Sequence, residues 1–382
     1  MTAPPPREAE QPHPGMVPDP ALRHVTEQTR TYPCSRCGAN LIFDPARQGL
    51  RCPACGFEMP IDLTPVRLPK HDLGQVNAWL AQFAASPQPL SREVICQNCG
   101  GRTTFSGALT ATRCPYCNTP IQRDDLKDAP TRIPADGVLP MRISQQEATR
   151  AIEAWINSRW FAPNSFRRYR TLGSFTSIYL TYYLYDIQAT SAYRGARGVY
   201  YTVTVGSGED QRQEIRTDWT RVWGTVHTQV ADLPVLANDG LDERRIQALE
   251  PWPVEMAVPY QQVFLAGHLS RSYDLEPEAA YQKYGQPRVY DLIRSQVRHD
   301  IGGNEQRIDS IDTSYQVLNF AQVLMPVWLL TVTYKSRPFQ VFINAMTGEV
   351  QGQRPYSAIK IVAAVVAVIT VVILFYLLYR SG

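Results

Sequence analysis

The chain has 382 residues, 44% of them hydrophobic, and a formal net charge of +3 at pH 7. That length and apolar content suffice for a buried core and for more than one domain. The near-neutral balance argues against both a strongly basic nucleic-acid binder and an acidic solvating chain.

Residues 1–30 carry Pro4-Pro5-Pro6, Pro12, Pro14, Pro18 and Pro20 among polar and charged residues. Such a composition cannot offset its ordering entropy by burial, so a disordered tail is expected. A proline-rich ligand for a partner domain is the functional alternative.

All eight cysteines follow, in four Cys-x-x-Cys pairs: Cys34/Cys37, Cys52/Cys55, Cys96/Cys99 and Cys114/Cys117. Every cysteine of the first quartet recurs 62 positions later, and fourteen residues separate the inner cysteines of each quartet. A tetrahedral zinc ion takes four thiolates, and each Cys-x-x-Cys turn supplies two. Gly38, Gly56 and Gly100 stand where the chain must turn tightly after a knuckle, with Asn118 in the fourth equivalent place. The spacing therefore predicts two structural zinc ions in two ribbons, 31–60 and 93–125. Sites closed by four protein ligands leave no open position for catalysis. Four disulfides or four redox dithiols fit poorly, because no export signal is visible and the short polar inserts cannot build a thioredoxin-like context. Ribbons of this size have little core beyond the metal, so their folding is expected to depend on it.

Between the ribbons, 61–92 reads as a linker with an amphipathic helix over 72–85 that aligns Val76, Trp79, Leu80 and Phe83. Residues 126–357 read as an α+β globular core of one domain or two lobes. A capping box at Ser144 and Glu147 opens a helix with Ala148, Ile152, Trp155 and Ile156 on one face. Strands are predicted over 174–194, 198–205 and 215–230, with turns near Gly195 and Gly206-Ser207-Gly208. A helical segment over 277–300 is interrupted near Gly285-Gln286-Pro287, and strands return over 308–317, 324–334 and 339–343 with a turn at Ser336-Arg337.

Residues 361–379 contain no charge, and ten of the nineteen are β-branched. A helix of that length spans roughly 28 Å, close to the hydrocarbon thickness of a bilayer. The segment 358–380 is therefore expected to be a single transmembrane helix, with 381–382 as a tail. Such an anchor leaves the bulk of the chain on the cytoplasmic face of the membrane, where thiols stay reduced. The fold class is thus a small-metal protein with two four-cysteine zinc ribbons, an α+β core and one C-terminal transmembrane helix.

No phosphate loop, zinc-protease helix or nucleophile elbow occurs, and His13, His24, His71, His227, His268 and His299 lack ligand spacing. A non-enzymatic protein is the expectation, with a hydrolase hidden in the core as a remote rival. Residues 30–130 hold eleven Arg or Lys against eight Asp or Glu. Two four-thiolate zinc centres would leave that region slightly negative, a poor footprint for phosphate binding. The basic and aromatic run from Arg159-Trp160-Phe161 to Phe166-Arg167-Arg168-Tyr169-Arg170 reads first as a helix C-terminus with favourable charges followed by a loop, and otherwise suits lipid headgroups as well as nucleic acid.

The chain resembles bacterial TFIIB-type tandem zinc-ribbon proteins with a C-terminal membrane anchor, often labelled primosomal protein N′ or helicase-like. The likeness rests on the two cysteine quartets and on the stretches 155–163 (WINSRWFAP), 178–186 (IYLTYYLYD), 324–328 (LMPVW) and 342–350 (FINAMTGEV). A helicase motor needs a phosphate loop, which this chain lacks. The resemblance implies a membrane adaptor in envelope stress that recruits a protein partner, of the phage-shock-protein-A-like or SPFH type. The alternative is a membrane-tethered nucleic-acid-binding zinc-ribbon protein.

Overall fold

The computed structural model describes residues 32, 34–39, 41–76, 92–95, 102–105, 111–113, 116, 120–122, 126–128, 133–161, 163, 173–206, 211–271, 273–334, 337–353 and 356–381. The proline-rich tail lies outside them. Strands β1 (Ile42–Asp44), β2 (Gly49–Arg51) and β3 (Glu58–Pro60) form an antiparallel sheet in the order β1-β2-β3. Phe43 faces Leu50 across the first hairpin, and both side chains are buried.

That burial corrects the expectation of a ribbon with little core beyond its metal. Cys34, Leu41, Phe43, Leu50 and Cys52 belong to one apolar cluster with Val138, Met141 and Trp328 of the main domain. Phe43 packs on Phe264 with ring centroids 5.8 Å apart, and its amide donates to the Ala266 carbonyl at 3.0 Å. The approach is so close that a Cβ on Gly267 (φ +80°) would lie 2.7 Å from Ile42 Cγ2.

The segment that follows is a strap rather than a free linker. Val66 N donates to Ala257 O at 3.2 Å, and Leu68 is buried over Gly137, where a Cβ would meet Leu68 Cδ1 at 2.5 Å. Lys70 Nζ reaches Asp186 Oδ1 at 3.1 Å and Asp232 Oδ1 at 2.5 Å. Strand β4 (His71–Asp72) then joins the main sheet, with His71 opposite Phe320. The predicted helix begins as a 3-10 turn, Leu73–Gln75, in which the Gly74 amide donates to Asp72 Oδ1 at 2.7 Å, and Val76 is buried. Trp79, Leu80 and Phe83 lie outside the described residues.

Five short strands come next: β5 (Arg92–Ile95), β6 (Arg102–Phe105), β7 (Ala111–Arg113), β8 (Pro120–Gln122) and β9 (Leu126–Asp128). The pairs β5–β6 and β7–β8 are antiparallel hairpins closed at Ile95↔Arg102 and Arg113↔Pro120, and β9 pairs with β5.

The main domain is built on β10 (Gly137–Val138), β11 (Gly173–Val205), β12 (Arg212–Leu236), β13 (Val258–Pro259), β14 (Leu269–Arg271), β15 (Glu305–Tyr334), β16 (Arg337–Asn344) and β17 (Val350–Gly352). With β4 they make a single nine-stranded sheet whose path runs β12-β11-β15-β10-β13, so the core is not divided into two separately sheeted lobes. Helix α1 (Gln145–Ser158) opens with both halves of the expected capping box: Ser144 N donates to Glu147 Oε2 at 2.8 Å and Glu147 N to Ser144 Oγ at 3.3 Å. Its buried face is Ala148, Ile152 and Ile156. After the short α2 (Glu243–Gln247), helix α3 (Pro277–Ala280) passes through a π turn, Tyr281–Gly285, into α4 (Gln286–Ile301). The predicted interruption is that π turn, which keeps the helix continuous across Pro287. Val289, Ile293, Val297 and Ile301 give α4 one buried stripe against β11, β12 and β15.

Three strands exceed the usual length several-fold. The predicted turn near Gly195 does not exist: β11 runs straight through it, with only a register shift against β15 between Arg194 and Gly195. Gly195 is required by close approach, since a Cβ there would lie 2.3 Å from Arg307 O. Both sheet faces are covered over the first part of β11. Ile178, Leu180, Tyr182 and Leu184 pack with Leu249 and Trp252 on one face, while Tyr183, Tyr185 and Ile187 pack with Phe320 and α4 on the other. Past Ile187 only the α4 face is covered by described residues.

Helix α5 (Ala358–Ser381) leaves the domain beside the C-terminal end of α1. Ser357 N donates to Phe161 O at 2.8 Å, and Lys360 Nζ to Trp160 O at 3.0 Å.

Candidate functional site

The two knuckles of the first ribbon have matching backbones. Gly38 N donates to Cys34 O and Gly56 N to Cys52 O, both at 2.9 Å, and both glycines have positive φ (73° and 74°). Cys34 N and Cys52 N are held by Ala39 O and Phe57 O, each at 2.7 Å. The result faces one pair of sulfurs toward the other: Cys34 Sγ lies 3.6 Å from Cys55 Sγ, and Cys37 Sγ lies 3.5 Å from Cys52 Sγ. All four sulfurs lie within 4.8 Å of one another. A tetrahedral ion with bonds of about 2.3 Å needs edges of about 3.8 Å, so the cluster matches the donor set and size of a zinc-type centre.

The thiols also show why a cation suits the cluster. The Cys55 amide, against opposing burial, holds the Cys52 thiol down to about 6. At Cys37 the Ala39 amide pulls the thiol down, but the sulfurs of Cys52, Cys55 and Cys34 together push it up to about 12. One thiolate forms readily while the next is opposed by its neighbours. A divalent ion at the centre removes that opposition. Cys34 and Cys52 are buried and Cys37 and Cys55 exposed, so these four cysteines can hold a metal ion at the ribbon surface.

The second predicted quartet, Cys96, Cys99, Cys114 and Cys117, lies outside the described residues. Tyr116, between the last two, is described, and it is plugged into the core. Its carbonyl accepts from Thr331 Oγ1 at 2.7 Å and Gln340 Nε2 at 2.6 Å, and its ring lies under the Arg271 guanidinium at 4.7 Å.

The histidines split by environment. His268 is buried; its Nε2 donates to Phe43 O at 3.3 Å and its Nδ1 accepts from Ser177 Oγ at 2.6 Å. Burial holds it neutral, down to about 4, with the Phe43 carbonyl opposing. It therefore staples the metal ribbon to the sheet. His71 Nε2 meets Asp136 Oδ1 at 2.7 Å, and burial raises the Asp136 carboxyl against that contact.

A second feature escaped sequence reading. Beyond Ile187 the sheet face opposite α4 is open, and period-two alternation along β12 places Ile215, Trp219, Arg221 and Trp223 on it, beside Tyr200 and Arg194 of β11. All four large apolar side chains are exposed, Trp223 to 79%. Gly198, opposite Trp219, leaves room for the indole: a Cβ there would lie 3.1 Å from its ring edge. Strand β12 is also the outer strand of the sheet among the described residues. The signal was the alternation Trp219-x-Arg221-x-Trp223 itself, which is apolar on the side that a core-facing strand would make polar.

Helix α5 contains one stretch, Ala358–Tyr376, with mean hydropathy 2.9 and none of it buried in the fold. It is long and apolar enough to cross a membrane.

The chain is similar to the uncharacterized protein YdjG of Bacillus subtilis (strain 168), at 25% identity over 348 residues, covering 87% of this chain and 92% of that protein. No family model and no solved structure matches the chain.

Proposed function

We propose that this protein is a non-catalytic adaptor of the TFIIB-type tandem zinc-ribbon kind, anchored in the cytoplasmic membrane through α5 and recruiting a protein partner on the cytoplasmic face. In this reading two structural zinc ions are held, one by Cys34, Cys37, Cys52 and Cys55 and one by Cys96, Cys99, Cys114 and Cys117. Free thiolate ligands suit the reducing side of the membrane. The partner class carried by the family resemblance is a phage-shock-protein-A-like or SPFH-type protein, with envelope stress as the setting.

The observation that carries this reading is the open face of the long ribbon formed by β11, β12 and β15 beyond Ile187. Trp219, Trp223, Tyr200 and Arg221 are the residue types that dominate protein-binding energetics, and a solvent-facing row of them adds nothing to the core. Strand β12 beside them, unpaired on its far side among the described residues, adds main-chain donors and acceptors for a partner strand.

The test is a pull-down from detergent-solubilised membranes with the full chain and with a Trp219→Ala, Trp223→Ala double variant. A specific protein recovered with the first and lost with the second, at equal zinc content and equal membrane association, supports the adaptor. Identical recovery with both variants, or recovery of nothing but nucleic acid released steeply by salt, overturns it.

A further inference from the structure

A pocket of about 280 Å³ opens where α5 leaves the domain, lined by Trp155 and Arg159 of the α1 end, Arg245 of α2, Gln351 and Gly352 of β17, and Tyr356. No carboxylate lines it among the described residues. Arg159 spreads its guanidinium over the Trp155 ring at 5.0 Å, and its Nε is buried with no hydrogen-bond partner. Arg245 is ion-paired with Asp242, which also accepts from Gln353 Nε2 at 3.1 Å. Among the described residues Arg245 thus has a carboxylate partner and Arg159 has none. The volume is close to the lower bound of roughly 300 Å³ for small-molecule sites, the size of a headgroup rather than of a whole lipid.

The place of the pocket matters as much as its charge. Tyr356 lies two residues before the first residue of α5, and the bonds from Ser357 N to Phe161 O and from Lys360 Nζ to Trp160 O fasten the first turn of that helix to the same end of α1. Trp160 is more than half exposed beside them. Trp, Tyr, Lys and Arg gathered at the root of an apolar helix are the side chains that settle at a membrane–water interface. Guanidinium groups in turn bind phosphate oxygens in pairs.

We propose that this pocket binds the phosphate group of an anionic phospholipid. The inference rests on the reading of α5 as a membrane span. A lipid seated there would fix the azimuth of the domain about α5, and so the direction in which the long ribbon points.

The experiment uses the full chain in nanodiscs of phosphatidylcholine with or without phosphatidylglycerol, and native mass spectrometry to count retained lipid. The wild type is expected to retain phosphatidylglycerol in preference to phosphatidylcholine. Arg159→Gln and Arg245→Gln should each lower that retention about tenfold. Arg159→Lys, which keeps the charge but not the paired donors, should restore it only in part. Equal retention in all variants overturns the proposal, as does a wild type with no preference between the lipids. A separate arm adds inorganic phosphate or glycerol phosphate to protein in neutral detergent. Tight binding of either, sensitive to both Gln variants, with no lipid preference in nanodiscs, assigns the site to a free phosphate compound and overturns the lipid assignment. Vesicle flotation separates the two premises: if α5 does not span, neither wild type nor variants float, whereas if only the pocket fails, all of them float alike.

Discussion

Along β11 the residues before and after the bulge at Ile187 obey different rules. Residues 178–187 are buried on both faces and read as an almost unbroken apolar run of Tyr, Leu and Ile. Residues 188–205 alternate, with Ala189, Ser191 and Tyr193 turned to α4 and Gln188, Thr190 and Arg194 turned to solvent. The same three strands thus serve as a core in one half and as a projecting platform in the other. In the platform half Trp219 and Trp223 are exposed, and the proposed recruitment of a partner rests on that exposure.

The four-cysteine ribbon sits on the core half, so its loss should be the largest perturbation. Cys34→Ser with Cys52→Ser removes one ligand from each knuckle. It should abolish metal binding there and destabilise the ribbon by on the order of 10 kcal/mol. Elemental analysis should show one zinc fewer per chain, and hydrogen exchange should show lost protection over 41–60.

Next comes the core itself. Phe320 is fully buried, 5.7 Å from the Tyr183 ring and 6.4 Å from that of Tyr185. Phe320→Ala should cost about 3–5 kcal/mol in denaturant unfolding.

The staple between ribbon and core gives a pH signature. His268 titrates near 4 in the fold against an ordinary 6.5, so as pH falls the unfolded chain takes up the proton first. Its contribution is complete above pH 6.5 and is lost as pH falls toward 4, a change of about 3 kcal/mol. Unfolding midpoints measured across that window should fall with pH, and a His268→Asn variant should flatten the slope.

Gly195 probes the continuity of β11. A side chain there meets Arg307 O, so Gly195→Val should cost about 1–3 kcal/mol by forcing the strands apart. At the small end, Trp223→Ala should change stability by less than about 0.5 kcal/mol, since its ring is mostly in water. A larger loss would make the indole a structural element and weaken the contrast between the two halves.

Much of this was legible in the residues. Four cysteines at knuckle spacing announced the centre that Cys34, Cys37, Cys52 and Cys55 form, because ligand spacing within a ribbon is a local property. The capping box at Ser144 and Glu147 fixed the start of α1 for the same reason. What failed was non-local. Gly195 looked like a turn because glycine marks both turns and close approaches, and only the presence of Arg307 across the strand pair distinguishes them. The docking of Phe43 on Phe264, 221 positions away in the chain, and the strap through Lys70 have no signature in local patterning. The pocket at the root of α5 was half visible: Arg159 stood out in a basic aromatic run, whereas Arg245 and Tyr356 join it only through the fold.

The platform of β11, β12 and β15 is proposed to be held at a membrane and to recruit a protein there. That recruitment is tested most directly by crosslinking in intact cells followed by mass spectrometry, comparing the full chain with a truncation ending at Ser357. A specific protein should be crosslinked to the full chain at the membrane and lost from the truncated one, which should appear in the soluble fraction still carrying its zinc. Identical crosslinked proteins in both, or a full chain that is itself freely soluble, would contradict it.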